Sequence, residues 1–144
     1  IATMYQPWDG WQTTAGDQVR LLDALVSSGP AAPSITVQLM TQVDPAQGWG
    51  VGQAGEPGQT VAVKNGWLPL TSGNWVLNSV GCLAPTSASP ICLAITSSGS
   101  PSMAYGVKTV TAAARAAIKA WRDGAGDGAP SSPTPGPAQP APAS

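Results

Sequence analysis

The chain has 144 residues, enough for one domain of ordinary size. Of these, 42% are hydrophobic and only 9% charged, against about 25% charged in an average soluble domain, and the formal net charge is −1. Six cations spread along the chain give no electrostatic footprint for nucleic acid and no polybasic segment for a membrane. Histidine is absent, which excludes a Ser-His-Asp triad, a Cys-His dyad and zinc sites built on imidazole. Two cysteines are too few for an all-cysteine zinc site, so no metal or cofactor is expected. A catalytic base in such a chain is Lys, a carboxylate, or a group outside it.

Ile1 to Gln12, rich in Trp, Gly and Pro, reads as loop. Thr14 and Asp17 then form a Thr-x-x-Asp start, a variant of the capping box. Val19, Leu22 and Val26, with Leu21 and Leu25 beside them, predict a helix that Gly29-Pro30 stops. A shorter helix is expected from Ser34 to Val43, burying Ile35, Leu39, Met40 and Val43. Gly48-Trp49-Gly50-Val51 opens a Gly-rich stretch that runs through Gly58. The pattern then predicts strands at Thr60–Lys64, Asn74–Leu83 and Pro90–Ser97, with turns at Gly73, Pro85 and Pro90.

A final helix is predicted over Met103–Arg122. Val107, Val110, Ala114, Ala117, Ile118 and Trp121 mark its core face, and Lys108, Arg115, Lys119 and Arg122 lie off it. Residues 123–144 are Gly, Ala, Pro, Ser and Thr with two Asp and one Gln, too polar to bury a core, and predict a disordered tail or a wall-spanning linker. Domain and tail are therefore divided at 1–122 and 123–144. The element order predicts an α+β fold: an antiparallel sheet of at least three strands covered by helices. There is no apolar run of 18 residues and no signal peptide, and the start at Ile1 suggests a processed or truncated product.

Cys82 and Cys92 flank the turn-like stretch Ala84–Pro90. In an antiparallel hairpin centred near Ser87 they face each other, so a disulfide is sterically possible and implies an oxidising, extracytoplasmic compartment; two buried free thiols are the alternative.

The segment most informative about function is Val61-Ala62-Val63-Lys64-Asn65-Gly66-Trp67, in which an apolar strand leads into a Lys, a small polar residue and Gly. It resembles the Lys-Thr-Gly motif of serine β-lactamases and penicillin-binding proteins. Taken alone, Asn-Gly is also a common hairpin turn, and a solvated Lys before a turn is the plain alternative. Four further segments resemble the family in the right order: Thr13-Thr14-Ala15-Gly16-Asp17, Gly48-Trp49-Gly50-Val51, Asn74–Gly81 and Leu93–Thr96. With the long helix ending in Trp121, the resemblance spans Trp11 to Arg122 and implies the C-terminal part of a β-lactamase/transpeptidase-like fold.

The resemblance implies roles residue by residue. Lys64 would supply catalytic electrostatic help, Asn65 would contact the polar end of the substrate, and Gly66 would let substrate approach the backbone. The N–H of Trp67 would form half of an oxyanion hole. Asn65 departs from the usual Thr or Ser. The family's Ser-x-x-Lys is missing, since Val61, Tyr105 and Ala116 precede the three lysines by three residues. Ser72-Gly73-Asn74 follows Lys64, whereas the family's Ser-x-Asn precedes its Lys motif, so it reads as a turn; Glu56 reads as a loop residue.

The expected function is amide or ester hydrolysis, including β-lactam or cell-wall peptide substrates, with the nucleophile in a missing N-terminal part of the same domain. The alternatives are a pseudoenzyme or a non-catalytic cell-wall-binding module with a cleft lined by Trp49, Trp67 and Trp75. Core filling by tryptophan, in a chain without Phe, competes with that last role. Without the N-terminal part, an open sheet edge and an uncovered face of the last helix are expected.

Overall fold

The computed structural model describes residues 13–27, 34–87 and 89–125. The readings of Ile1–Gln12 as loop, of Gly29-Pro30 as a helix stop and of 126–144 as tail lie outside the described residues, as do Trp8 and Trp11.

Helix α1 spans Ala15–Val26 and begins where the sequence places it. The Thr14 hydroxyl accepts from the Asp17 N–H at 3.1 Å, and the Asp17 carboxylate accepts from the Thr14 N–H at 3.2 Å. Two of the four orphan N–H groups of the first turn are satisfied in this way. The Asp17 carboxyl sits below its ordinary pKa, first because the Thr14 hydroxyl and then the Thr14 N–H donate to it, with Arg20 adding to the effect. Helix α2, Ile35–Met40, is shorter than expected and turns a different face inward. Val37 and Met40 are buried, whereas Ile35 and Leu39 are 67% and 61% exposed. A helix of under two turns takes its facing from what it packs on, here Ala62 and Leu22.

Strands β1 (Val61–Pro69), β2 (Trp75–Leu83) and β3 (Ile91–Ser100) form an antiparallel sheet in the order β1-β2-β3. The first strand is longer than predicted. Its register runs unbroken from Val61 opposite Leu83 to Pro69 opposite Trp75, so Asn65-Gly66 is mid-strand and Lys64 does not end the strand. The turn falls at 70–74, where the Leu70 N–H donates to the Asn74 carbonyl and Gly73 takes φ +83°. That geometry suits glycine and fits Ser72–Asn74 as a turn.

Alternation along the strands divides the core in two. On one face Ala62 and Cys82 pack with Leu22, Val37 and Met40 from α1 and α2. On the other, Val63 and Leu83 pack with Val51, Ala54, Ala114 and Ile118. Helix α3, Met103–Ala125, covers this second face. It runs three residues past Arg122, into the segment expected to be tail, and Lys119 reaches Asp123 one turn on at 2.5 Å. Its apolar stripe is covered and not open: Val110, Ala114 and Ile118 are 0–2% exposed. Trp121, expected on that stripe, is 51% exposed because it lies near the helix end beyond the core cluster.

Cys82 and Cys92 are directly opposed on β2 and β3, with Cα atoms 4.0 Å apart, and form a disulfide. No helix among the described residues is long and apolar enough to cross a membrane.

Candidate functional site

Two 3-10 turns, Pro45–Gln47 and Gly50–Gln53, lead the chain from α2 into β1 and lie on the α3 side of the sheet. Their position is fixed by three polar side chains that anchor backbone in the interior. Asn65 donates from Nδ2 to the carbonyls of Gln47 (2.7 Å) and Trp49 (3.1 Å). The Gly50 N–H donates to the Thr111 hydroxyl and the Val51 N–H to the Ser79 hydroxyl, each at 2.9 Å. Ser79 is fully buried, and Asn65 and Thr111 are nearly so. Gly50 takes φ +66°, and a Cβ there would overlap the Ser79 side chain. Only glycine meets both demands, which gives a physical reason for the Gly-Trp-Gly segment.

Pleating divides the motif between the two faces of β1. Lys64 and Gly66 share the face of Ala62, toward α1 and α2. Asn65 and Trp67 share the face of Val63, toward the 3-10 turns. Lys64 is exposed, and its Nζ donates to the Asn65 carbonyl at 2.6 Å. A cleft of about 250 Å³ opens beside it, lined by Thr13, Gln18, Lys64, Gly66, Asn78 and Thr96 among others. Thr13 at the start of α1 and Lys64 on β1 therefore meet at one cleft. Gly66 faces open space.

Asn65 is placed differently from Lys64. Both its amide hydrogens are held by the loop carbonyls, and its Oδ1 is buried with no hydrogen-bond partner among the described residues. A buried acceptor left in that state costs about 1–3 kcal/mol, which the two loop bonds offset. Trp67 is 41% exposed and leans on buried Trp49, ring centroids 6.1 Å apart and tilted by 59°. A second hollow of about 230 Å³ lies beside β1 between Val43, Asp44, Gln47, Lys64 and Trp67.

The three tryptophans named for a binding cleft do not line one surface. Trp49 packs with Leu77 and Val110, and Trp75 lies half-buried against the same cluster. Glu56 is a loop residue whose carboxylate pairs with Arg122.

Sequence reasoning missed Ser79 and Thr111. Their signal was a polar residue at an inward strand position and another beside Val110 in an otherwise apolar helical stripe. It also missed Gln18, Asn78 and Thr96, which carry no signal until α1 is laid over β2 and β3. No cluster of His, Cys, Asp or Glu suited to a metal ion occurs among the described residues.

Fold and site together define an α+β protein with helices on both faces of a three-stranded antiparallel sheet and an exposed lysine beside a cleft between α1 and the sheet. No protein-family model, curated protein or solved structure matches the chain.

Proposed function

We propose that the chain is part of an extracytoplasmic serine hydrolase of the β-lactamase-like kind, cleaving amide or ester bonds, and that it supplies the Lys64 wall of the active-site cleft. The observation that carries this reading is the position of Lys64. It is a cation at mid-strand, held by its own β1 backbone, beside a cleft whose lining also includes Thr13, Gln18, Asn78 and Thr96 along with Gly66 and Val80. Such a cleft suits an anionic, hydrogen-bonding substrate: the charge attracts a carboxylate and the neutral groups orient it.

The nucleophile in this reading belongs to a Ser-x-x-Lys helix contributed from outside the 144 residues, and the chain alone performs no acyl transfer. Lys64 acts as an electrostatic and substrate-binding group. The N–H of Trp67 is the candidate oxyanion donor, and Gly66 leaves room for the approaching substrate. Asn65 acts mainly by holding the loop behind β1. The cross-strand disulfide supports an oxidising compartment. The test is hydrolysis of a chromogenic cephalosporin and a nitrophenyl ester by the complete gene product and its Lys64→Gln variant. A fall of about 10²-fold or more in kcat/KM, with the fold intact, supports the assignment; an unchanged rate removes Lys64 from the site.

Trp67 favours a second reading, a non-catalytic module for cell-wall peptide or glycan, because an exposed ring held against a buried one is ready for stacking. Saturable binding of cell-wall fragments by the isolated chain, lost in Trp67→Ala, would select it.

A further inference from the structure

Gly66, Asn78 and Thr96 are register partners across β1, β2 and β3, so they form one row on the face of the sheet that carries Lys64. Beside this row the β2–β3 register slips. Trp75 and Leu77 pair with Ser100 and Ser97, which leaves an extra residue on β3, and Gly99 there takes φ +73°. Such a bulge can re-aim a neighbouring side chain. Here the Ser97 N–H donates to Asn78 Oδ1 at 3.2 Å. An N–H can only donate, so this bond fixes the sense of the amide and leaves Asn78 Nδ2 as its donor end. Gln18 on α1 is fixed in the opposite sense. The Thr13 hydroxyl gives its hydrogen to the Thr14 carbonyl at 3.4 Å and accepts from Gln18 Nε2 at 3.0 Å, which leaves Gln18 Oε1 as an acceptor. No hydrogen bond among the described residues uses Asn78 Nδ2 or Gln18 Oε1, and neither atom is enclosed. Both residues are half-buried and line the cleft of about 250 Å³ beside Lys64.

A donor and an acceptor held in one cleft are the complement of a secondary amide, which brings an acceptor and a donor of its own. From this pairing we infer that the cleft reads a secondary amide in its ligand, Asn78 Nδ2 donating to the amide carbonyl and Gln18 Oε1 accepting from the amide N–H. The role of that amide in a reaction rests on the hydrolase reading. With the Trp67 N–H on β1 as oxyanion donor, the amide held by β2 and α1 is a second group beside the bond that is cut. The substrate class then narrows to acylamino or peptide compounds. Other ligands match less of the site. An ester has the carbonyl but no N–H, and sets its bridging oxygen against Gln18 Oε1. A carboxylate suits Asn78 and Lys64 but places its charge against the same Gln18 oxygen. A site that hydrogen-bonds a ligand N–H rejects the analogue without one, because its own acceptor is left unmatched. In a half-open cleft, where water partly replaces the lost partner, this discrimination is about tenfold and not the far larger factor of a closed pocket.

The experiment is an NMR titration of the isotope-labelled full chain with N-benzylacetamide and with benzyl acetate, which differ only in N–H against O. Binding by the chain alone needs no nucleophile. A failed Lys64→Gln hydrolysis test therefore leaves this proposal standing, and a failure here leaves the hydrolase reading standing. Two variants separate the contacts. Gln18→Met keeps the length of the side chain without its acceptor. Asn78→Asp keeps the oxygen that the Ser97 N–H needs and removes the donors, and its circular dichroism spectrum checks that the sheet is intact. The proposal expects N-benzylacetamide to bind about tenfold more tightly than benzyl acetate and to shift the side-chain amide signals of Gln18 and Asn78. It expects Gln18→Met to bring the two probes level and Asn78→Asp to lose both. Equal affinities in the wild-type chain, no binding of either probe, or shifts that map away from Gln18 and Asn78 overturn it. An amide preference that persists in Gln18→Met, or unchanged binding in Asn78→Asp, equally overturns it.

Discussion

Removing the Asn65 side chain tests how the loop behind the Lys64 strand is held. Asn65→Ala loses the bonds to the Gln47 and Trp49 carbonyls. At about 0.5–1.5 kcal/mol each, these amount to roughly 2 kcal/mol. The Trp49 carbonyl keeps the Gly52 N–H at 3.3 Å, so no bare acceptor is added there. Against this, the unpartnered Oδ1 leaves too and returns about 1 kcal/mol or more. The net expectation is a loss of about 1 kcal/mol, or a Tm lower by roughly 4 °C for a domain of this size. Asn65→Asp should be worse, because a carboxylate has no N–H for either carbonyl and its buried charge has no partner. Asn65→Thr, which gives the family's Lys-Thr-Gly, keeps one donor at shorter reach and should fall between wild type and Asn65→Ala. Urea unfolding followed by tryptophan fluorescence reads all three. A loss under about 0.5 kcal/mol for Asn65→Ala, or wild-type stability for Asn65→Asp, refutes the loop-holding role.

Three other outcomes follow from the same geometry. Reducing Cys82–Cys92, which closes a loop of sequence separation 10, should cost about 2–3 kcal/mol by the chain-entropy estimate, read as a lower urea midpoint in dithiothreitol; an unchanged midpoint contradicts it. The Asp17 carboxyl is depressed in the folded state, so its contribution is present above the ordinary carboxylate pKa and disappears as pH falls through the lower folded value. Helix α1 should therefore loosen on acidification below about pH 4, and Thr14→Ala should flatten that dependence; identical acid titrations of the two proteins would count against the capping account. Along β3, the outer edge has no strand partner among the described residues and carries neither charge nor proline. The isolated chain should bind a hydrophobic dye or self-associate through that edge, and a monomeric, reversible unfolding transition without dye binding would refute this.

The elements legible in the sequence were those in which local chemistry and tertiary burial agree. The Thr14–Asp17 capping box starts α1, and Val110, Ala114 and Ile118 are as buried as their spacing requires. Cys82 and Cys92 meet where a hairpin centred near Ser87 puts them. The failures share a cause. Asn65-Gly66 has the local signature of a turn, which ends the expected first strand at Lys64, but the β1–β2 register carries the strand on to Pro69, up to the turn expected at Gly73. Ile35 and Leu39 form a plausible apolar face, yet α2 is too short to impose it, and packing against Ala62 selects Val37 and Met40.

The site divides in the same way. Lys64 could be singled out from its residue type and context. The anchoring of Asn65 depends on carbonyls 16 and 18 residues earlier in the chain, and the cleft depends on α1 meeting β1. No pattern within β1 encodes either contact.

The most direct test of the proposed hydrolase is the intact mass of this chain after incubation with a reactive penicillin, beside the same gene product extended upstream. The account predicts an acyl adduct on the extended protein only, mapping to a Ser-x-x-Lys serine. An adduct on the 144-residue chain that survives Ser72→Ala would place the chemistry elsewhere, and no adduct on either protein would contradict the hydrolase reading.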